Sequence, residues 1–270
     1  MHTKVPRVEE GTDLGVAESM RRDWDDRARK DAFYYIASWR ENWDVGSFLA
    51  SGEEDYQRLV APVLSRCQFS PEGKAMVELG CGAGRMTRSF ARRFERVYAF
   101  DVSTGMLSRA QSLLRESDNI VWIQGNGSDL SGLANGSVDF VFSYLVLQHL
   151  PTERLVRRYV AEMLRVLKDD GVFLFQFNSG RAPTMNWKGR LAWNLVDSLW
   201  ALGLNRVSRA TASCLGFDAA MAGKSWRGAS VHPTSVRETV QAAGGAVREM
   251  TGENTAMTWY CGVKVSQKGR

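Results

Sequence analysis

Residues 75–88, AMVELGCGAGRMTR, run an apolar segment into three glycines at every second position, Gly80, Gly82 and Gly84, and then into a basic segment. A buried strand that feeds a helix through glycines is a nucleotide-binding turn. The missing side chains let a ligand approach the backbone, and the helix start offers free N–H groups. Two phosphate-cradling versions of that turn fail here. A GxxxxGK[ST] loop needs a lysine that is absent, and a GxGxxG loop needs a glycine at position 85, which is Arg85. What stands is GxGxG preceded by Glu78.

On either side, short apolar runs alternate with helical periodicity. AMVEL (75–79), RVYAF (96–100), IVWIQ (120–124), VDFVFS (138–143) and GVFLFQF (171–177) predict buried parallel strands. Helical stretches lie between them near 85–94, 104–116 and 152–167. In the last, Leu155, Tyr159, Val160, Met163, Leu164 and Leu167 form one apolar stripe. PTSVRETVQAAG (233–244) then predicts a helix. AVREMT (246–251) and AMTWYCGVKV (256–265) lie too close together for a crossover helix, so they predict an antiparallel hairpin at the sheet edge. The sum is an α/β fold of Rossmann-like, doubly wound type: a mostly parallel seven-stranded sheet with an antiparallel last strand.

Two aromatic-rich segments flank this core. The first, within helical residues 19–66, carries Trp24, Phe33, Tyr34, Tyr35, Trp39, Trp43 and Phe48. The second, 181–228, carries Trp187, Trp193, Trp200 and Trp226. Trp193, Val196 and Trp200 share one helix face while Leu191, Leu195, Leu199 and Leu202 occupy others, which predicts a helix buried on most sides. One domain overall follows, divided into an N-terminal helical cap (1–68), an α/β core (69–180), a helical lid inserted after the fifth strand (181–230), and a closing helix and hairpin (231–270).

The chain has 270 residues, 44% of them hydrophobic and 24% charged, which fits a globular domain with a sizeable core. No apolar run approaches the length of a membrane span, and the polar N-terminus lacks the apolar core of a signal peptide, so a cytoplasmic location is expected. The net charge is +5, but basic residues sit beside acidic ones along helices, as in PTERLVRRYVAEMLRVLKDD. A solvated helix face explains them without nucleic acid. Cys67, Cys81, Cys214 and Cys261 show no CxxC spacing, which supports neither a metal knuckle nor a redox pair.

VELGCGAGRMT resembles motif I of the class I S-adenosylmethionine-dependent methyltransferases. RVYAFDVSTGMLSRA, IQGNGSDLSGLANGSVDFVFSYLVLQHLP and LRVLKDDGVFLFQF resemble the segments that follow it in that family, in order, over roughly residues 70–180. The resemblance implies S-adenosyl-L-methionine as cofactor and S-adenosyl-L-homocysteine as product. It places cofactor contacts at Glu78, Gly80, Cys81, Gly82, Gly84, Asp101, Val102, Met106, Asn126, Gly127, Ser143 and Tyr144. Asp101 would take the ribose hydroxyls, a charge-assisted pair, and Val102 and Met106 the adenine faces. Asn126 stands where many relatives have an Asp that accepts from the adenine amino group; Asp129 is the alternative acceptor, or a loop cap.

The nucleic-acid motif [DNS]PP[YFW] is absent after the fourth strand, where SYLVLQHLP stands, and no cysteine follows a proline as cytosine methylation requires. No clustered carboxylates for a divalent metal follow that strand either. A small acceptor methylated on O or N remains, with the aromatics pointing to an apolar or ring-containing molecule; neither nucleic acid nor membrane is expected as partner, and the chain is a monomer or homodimer. Tyr34, Tyr35, Gln148 and Trp226 are expected at the acceptor. His149 is either a general base or a loop-bonding histidine; His232, ahead of a proline at a helix start, is structural. A protein that keeps the cofactor but transfers nothing, and an enzyme acting on a protein side chain, stay open as alternatives.

Overall fold

The structure, a computed structural model, describes residues 10–180, 187–202, 204–216 and 228–266. Its centre is β1 (Ala75–Leu79), whose apolar run is paired in parallel on both sides, with β2 (Arg96–Asp101) and with β4 (Val138–Ser143). β3 (Ile120–Gln124) extends the sheet beyond β2, and β5 (Leu167–Phe177) extends it beyond β4. β7 (Thr258–Lys264) runs antiparallel between β5 and the edge strand β6 (Gly245–Thr251), giving the order β3-β2-β1-β4-β5-β7-β6. The predicted seven-stranded α/β sheet with an antiparallel last strand is what forms. The chain moves outward from β1 in one direction and then returns to β4 on its other side, so β1 and β4 flank the switch point where open α/β sheets bind ligands.

Alternate residues of the central strands feed two apolar layers. Met76, Val97, Phe140, Phe142 and Leu174 pack on one face, with Phe90 and Phe94 and with the N-terminal helices. Val77, Phe100, Val141, Phe173 and Phe175 pack on the other. There they meet α6 (Glu153–Val166), whose stripe Leu155, Val156, Tyr159, Val160, Met163 and Leu164 is entirely buried. Thr152 starts that helix by accepting from the Leu155 N–H at 3.2 Å.

The N-terminal segment folds as α1 (Glu10–Ile36), α2 (Val45–Asp55), a π-helical turn (Tyr56–Val60) and α3 (Ala61–Arg66). α1 breaks at Asp31, which leaves the helical region (φ −168°, ψ 90°) and accepts from the Tyr34 N–H at 3.0 Å, capping the short piece that follows. Between strands lie α4 (Thr87–Ala91) and α5 (Thr104–Leu113), both shorter than their sequence periodicity suggests. β5 begins four residues earlier than expected, because Leu167 pairs with Val138 across an irregularity in the ladder.

After β5 come α7 (Trp187–Ala201), α8 (Asn205–Cys214) and α9 (Pro233–Ala242). α7 corrects the expectation of a helix buried on most sides. Trp193 and Val196 are buried, but Leu191 is 59% exposed, Leu195 52% and Leu202 74%. The helix packs on α8, where the Ser208 hydroxyl donates to the Val196 carbonyl at 2.8 Å. His232 caps α9 through Nδ1, which accepts from the Thr234 N–H at 3.2 Å. Among the described residues no helix is long and apolar enough to cross a membrane.

Candidate active site

A cavity of about 350 Å³ opens at the switch point, between the carboxyl ends of β1, β2 and β4 and the N-terminal helix. Its floor is the glycine loop. The N–H groups of Gly80 and Cys81 both donate to the Phe100 carbonyl, at 2.7 and 2.9 Å, which curls the loop over the end of β2. Gly80 (φ +78°) and Gly82 (φ +54°) lie in the left-handed region that side chains avoid. A Cβ on Gly80 would fall 2.0 Å from a methyl of Val146, and one on Gly82 2.7 Å from Ile36 of α1. Gly82 therefore makes room for the N-terminal helix to close over the loop. Gly84 serves packing as well: a Cβ there would crowd Leu114 and Ala110 of the α5 segment.

Asp101 ends β2 beside this loop. One carboxylate oxygen accepts from the Gly82 N–H (2.8 Å) and the other from the Ser103 N–H (2.9 Å). Burial pushes its pKa up to about 6 against the pull of those two donors, and the nearby Asp25 adds to the rise. Asp25 comes from α1; its carboxylate accepts from the Ser103 hydroxyl (2.6 Å) and from the Gly105 N–H (3.0 Å), so the N-terminal helix helps cap α5. Glu78 lies at the base of the loop, buried, with Thr87 donating to it at 2.6 Å. Desolvation raises its pKa to about 7, opposed by the Thr87 hydroxyl and Arg85. The Cys81 thiol is buried, and its pKa is raised by desolvation.

The cavity brings together most of the residues picked out in the sequence: Glu78, Gly80, Cys81, Gly82, Asp101, Val102, Met106, Tyr144, Tyr35, Gln148 and His149 all line it. Five others lie off its wall. Gly84 packs against α5. Asn126 is exposed, with its amide oxygen taken by the N–H groups of Ser128 and Asp129 (2.8 and 3.0 Å). Gly127 backs onto Ala17 of α1. Ser143 is fully buried and donates to the Leu79 carbonyl at 3.2 Å. Tyr34 turns its ring edge to Tyr35, 5.4 Å away. Trp226 lies outside the described residues. Asp129, the alternative to Asn126, does line the cavity, and Arg158 holds it at 2.9 Å.

Several wall residues had no individual role assigned from the sequence, Trp24 and Trp39 being marked there only as part of an aromatic-rich segment. Trp24 and Trp39 come from the N-terminal cap, Tyr159 from α6, and Met257 from the turn before β7. Arg85 is the least foreseeable of them. It is buried, pairs with Asp55 of α2 at 2.7 Å, and has its guanidinium 5.2 Å from the Trp39 ring centre. No local pattern links positions 55 and 85; only the close packing of α2 on the loop does so, where a Cβ on Gly52 would sit 1.9 Å from the Arg85 carbonyl.

Above the loop, Leu147–His149 form one 3₁₀ turn after β4. The His149 ring meets the edge of Trp24 at 5.7 Å, and its Nε2 lies 3.2 Å from Nε2 of Gln148. Gln176, fully buried in β5, donates to Oε1 of Gln148 at 3.0 Å and accepts from the Leu145 N–H at 3.0 Å. Among the described residues no group of three or more His, Cys, Asp or Glu side chains gathers as a metal site.

A family model described as a methyltransferase domain matches residues 77–175, the segment that runs from β1 to β5. Over 107 residues the chain is 34% identical to a probable S-adenosylmethionine-dependent methyltransferase of Saccharomyces cerevisiae, covering 38% of this chain and 35% of that protein. Over 103 residues it is 34% identical to a trans-aconitate 2-methyltransferase of Deinococcus radiodurans, covering 37% and 36%. It thus spans about a third of the length of these curated relatives. The backbone is also similar to that of a magnesium protoporphyrin IX methyltransferase from Synechocystis PCC 6803 solved with bound SAH. The TM-score is 0.58 at 17% identity, over 92% of this chain and 99% of that one, a likeness of fold.

Proposed function

We propose that this chain, whose residues 77–175 match a methyltransferase-domain family model, is a class I S-adenosylmethionine-dependent methyltransferase that transfers the cofactor's methyl group to O or N of a small, largely apolar or ring-containing molecule. The cofactor is S-adenosyl-L-methionine, which supplies a sulfonium methyl and leaves as S-adenosyl-L-homocysteine. The residues present suit it. It offers a ribose diol, an ammonium and an adenine but no phosphate, and the cavity offers a carboxylate, a bare loop and apolar side chains. Asp101 keeps lone pairs on both oxygens beyond the two N–H bonds it accepts, enough for two ribose hydroxyls. Val102 and Met106 hold the adenine faces. Asp129 lies on the cavity wall and Asn126 does not, so its carboxylate takes the adenine amino group alongside the bonds it accepts from Asn126, Ser131 and Arg158.

The acceptor lies toward Tyr35, Trp39, Tyr144 and Met257, where the wall is aromatic and thioether. The chain's part in transfer is to hold acceptor and methyl in line and to exclude water; positioning of this kind supplies up to about 7–11 kcal/mol of a displacement barrier. α1 does the closing. Ile36 packs on Gly82, Ala17 on Gly127, and Asp25 ties the helix to α5.

The observation that carries this reading is the convergence of Asp101 and the left-handed glycines on one cavity at the β1/β4 switch point. Melting the protein with S-adenosyl-L-homocysteine and separately with NAD tests it. The first raises the melting temperature and the second does not; the opposite pattern, or no shift with either, refutes the cofactor assignment. Labelled methyl transfer into a metabolite extract then finds the acceptor.

A further inference from the structure

The hydrogen bonds behind the cavity fix which nitrogen of His149 carries a proton. Gln176 is held by two backbone groups that admit one orientation only: its Oε1 accepts from the Leu145 N–H, and its Nε2 donates to the Ala256 carbonyl at 2.6 Å. Its Nε2 also faces Oε1 of Gln148, so the amide oxygen of Gln148 points to Gln176 and its nitrogen points to His149. An amide nitrogen has protons and no lone pair to offer. The His149 Nε2 therefore accepts, and the proton of the neutral ring sits on Nδ1, an atom closed off from solvent.

We propose that Gln176 and Gln148 form a relay that holds His149 in the neutral Nδ1–H form with its Nε2 lone pair occupied. Gln176 is thereby a positioning residue, and His149 is not the resting general base of the cavity. The carboxylates on the cavity wall have other work: Glu78 holds Thr87, Asp101 accepts from Gly82 and Ser103 and turns its remaining lone pairs to the ribose, and Asp129 pairs with Arg158. Resting on the methyl-transfer reading, this narrows the acceptor class. The atom to be methylated brings a lone pair that is free at neutral pH, as a carboxylate or an unprotonated ring nitrogen does. That lone pair forms the new bond to carbon, the carbon–sulfur bond breaks with its electrons left on sulfur, and no proton passes to the imidazole. A phenol or an alkylammonium, which must lose a proton first, fits this wall poorly.

The chain has three histidines, His2, His149 and His232, so long-range proton–nitrogen correlation spectra of the ¹⁵N-labelled protein resolve each ring, with His232→Gln to assign the signals. Near neutral pH, His149 is expected as the Nδ1–H tautomer. Gln148→Glu, which puts an acceptor where a donor stood, should move the proton to Nε2; Gln148→Met should leave a mixture. Gln176→Met should also give a mixture, and if that variant fails to fold, the two Gln148 variants decide, since they leave the backbone bonds of Gln176 intact. A wild-type ring protonated on Nε2 or on both nitrogens overturns the proposal, as does an Nδ1–H tautomer that survives Gln148→Glu. These spectra need no substrate. A failed relay with intact homocysteine-cofactor binding leaves the methyltransferase reading standing, and failed binding with the predicted tautomer does the reverse.

Discussion

Two helices flank β5 in the chain, and they meet opposite fates. α6, before it, places six apolar residues on one stripe and buries all six against the sheet. α7, after it, has apolar residues on several faces, yet buries Trp193 and Val196 and leaves Leu191 and Leu195 more than half exposed. Apolar content is thus a poor guide to burial, whereas its arrangement is a good one. A stripe three and four residues apart with polar flanks identifies a helix that already has a surface to cover. An all-round apolar helix records only that some of its faces meet apolar material. The same contrast separates the glycine loop, whose every glycine has a neighbour pressed against it, from the helices over the far side of β5.

Breaking the tight side should have the larger effects. Gly82→Val places a branched side chain at φ +54°, against Ile36 2.7 Å from the new Cβ. Binding of S-adenosyl-L-homocysteine should vanish in calorimetry, and a folded variant that binds normally would reduce the loop to an ordinary turn. Met163→Ala, in the buried stripe of α6, should cost about 2–5 kcal/mol in urea unfolding. Asp25→Ala removes the α1 carboxylate that caps α5, and should cost about 1 kcal/mol. It should also weaken cofactor binding, since the helix that covers the loop is loosened; unchanged affinity would show that α1 closes independently of this tie. The smallest effect belongs to α7. Leu195→Ser should change stability by no more than about 0.5 kcal/mol. A loss well above that would mean that this face is covered in solution, and analytical ultracentrifugation of both proteins would show whether a second copy covers it.

Much of the fold was legible because its signals are local. The five parallel strands are continuous apolar runs, the hairpin is betrayed by a gap too short for a helix, and Asp101 follows the glycine loop at the end of the very next strand. The cavity's other half was not legible. Arg85 reads in sequence as a misplaced residue in a dinucleotide fingerprint, and its pairing with Asp55 depends on α2 docking against the loop. Asn126 reads as an acceptor by its position after β3. The structure turns its oxygen to two backbone N–H groups and leaves Asp129 on the wall. Gln176 is the one polar residue in VFLFQF (172–177), the phenylalanine-rich end of β5. Its meaning comes from Leu145 and Gln148, in the segment after β4, and from Ala256, in the turn before β7, which the sheet brings to it.

The claim on which the rest depends is that an ionised Asp101 holds the cofactor at the β1/β4 switch point. Titration calorimetry with S-adenosyl-L-homocysteine, in the wild type and in Asp101→Asn, tests it most directly. At neutral pH the substitution should weaken binding by about 2–4 kcal/mol, the worth of charge-assisted bonds to two hydroxyls. Because burial lifts the Asp101 pKa to about 6, the carboxylate that binds is present above that value and is lost below it. Wild-type affinity should therefore fall as the pH is lowered from 7 through 6 to 5, and this decline should be largely absent in Asp101→Asn. Equal affinities at neutral pH, or the same decline in both proteins, would contradict the assignment and move the cofactor elsewhere in the molecule.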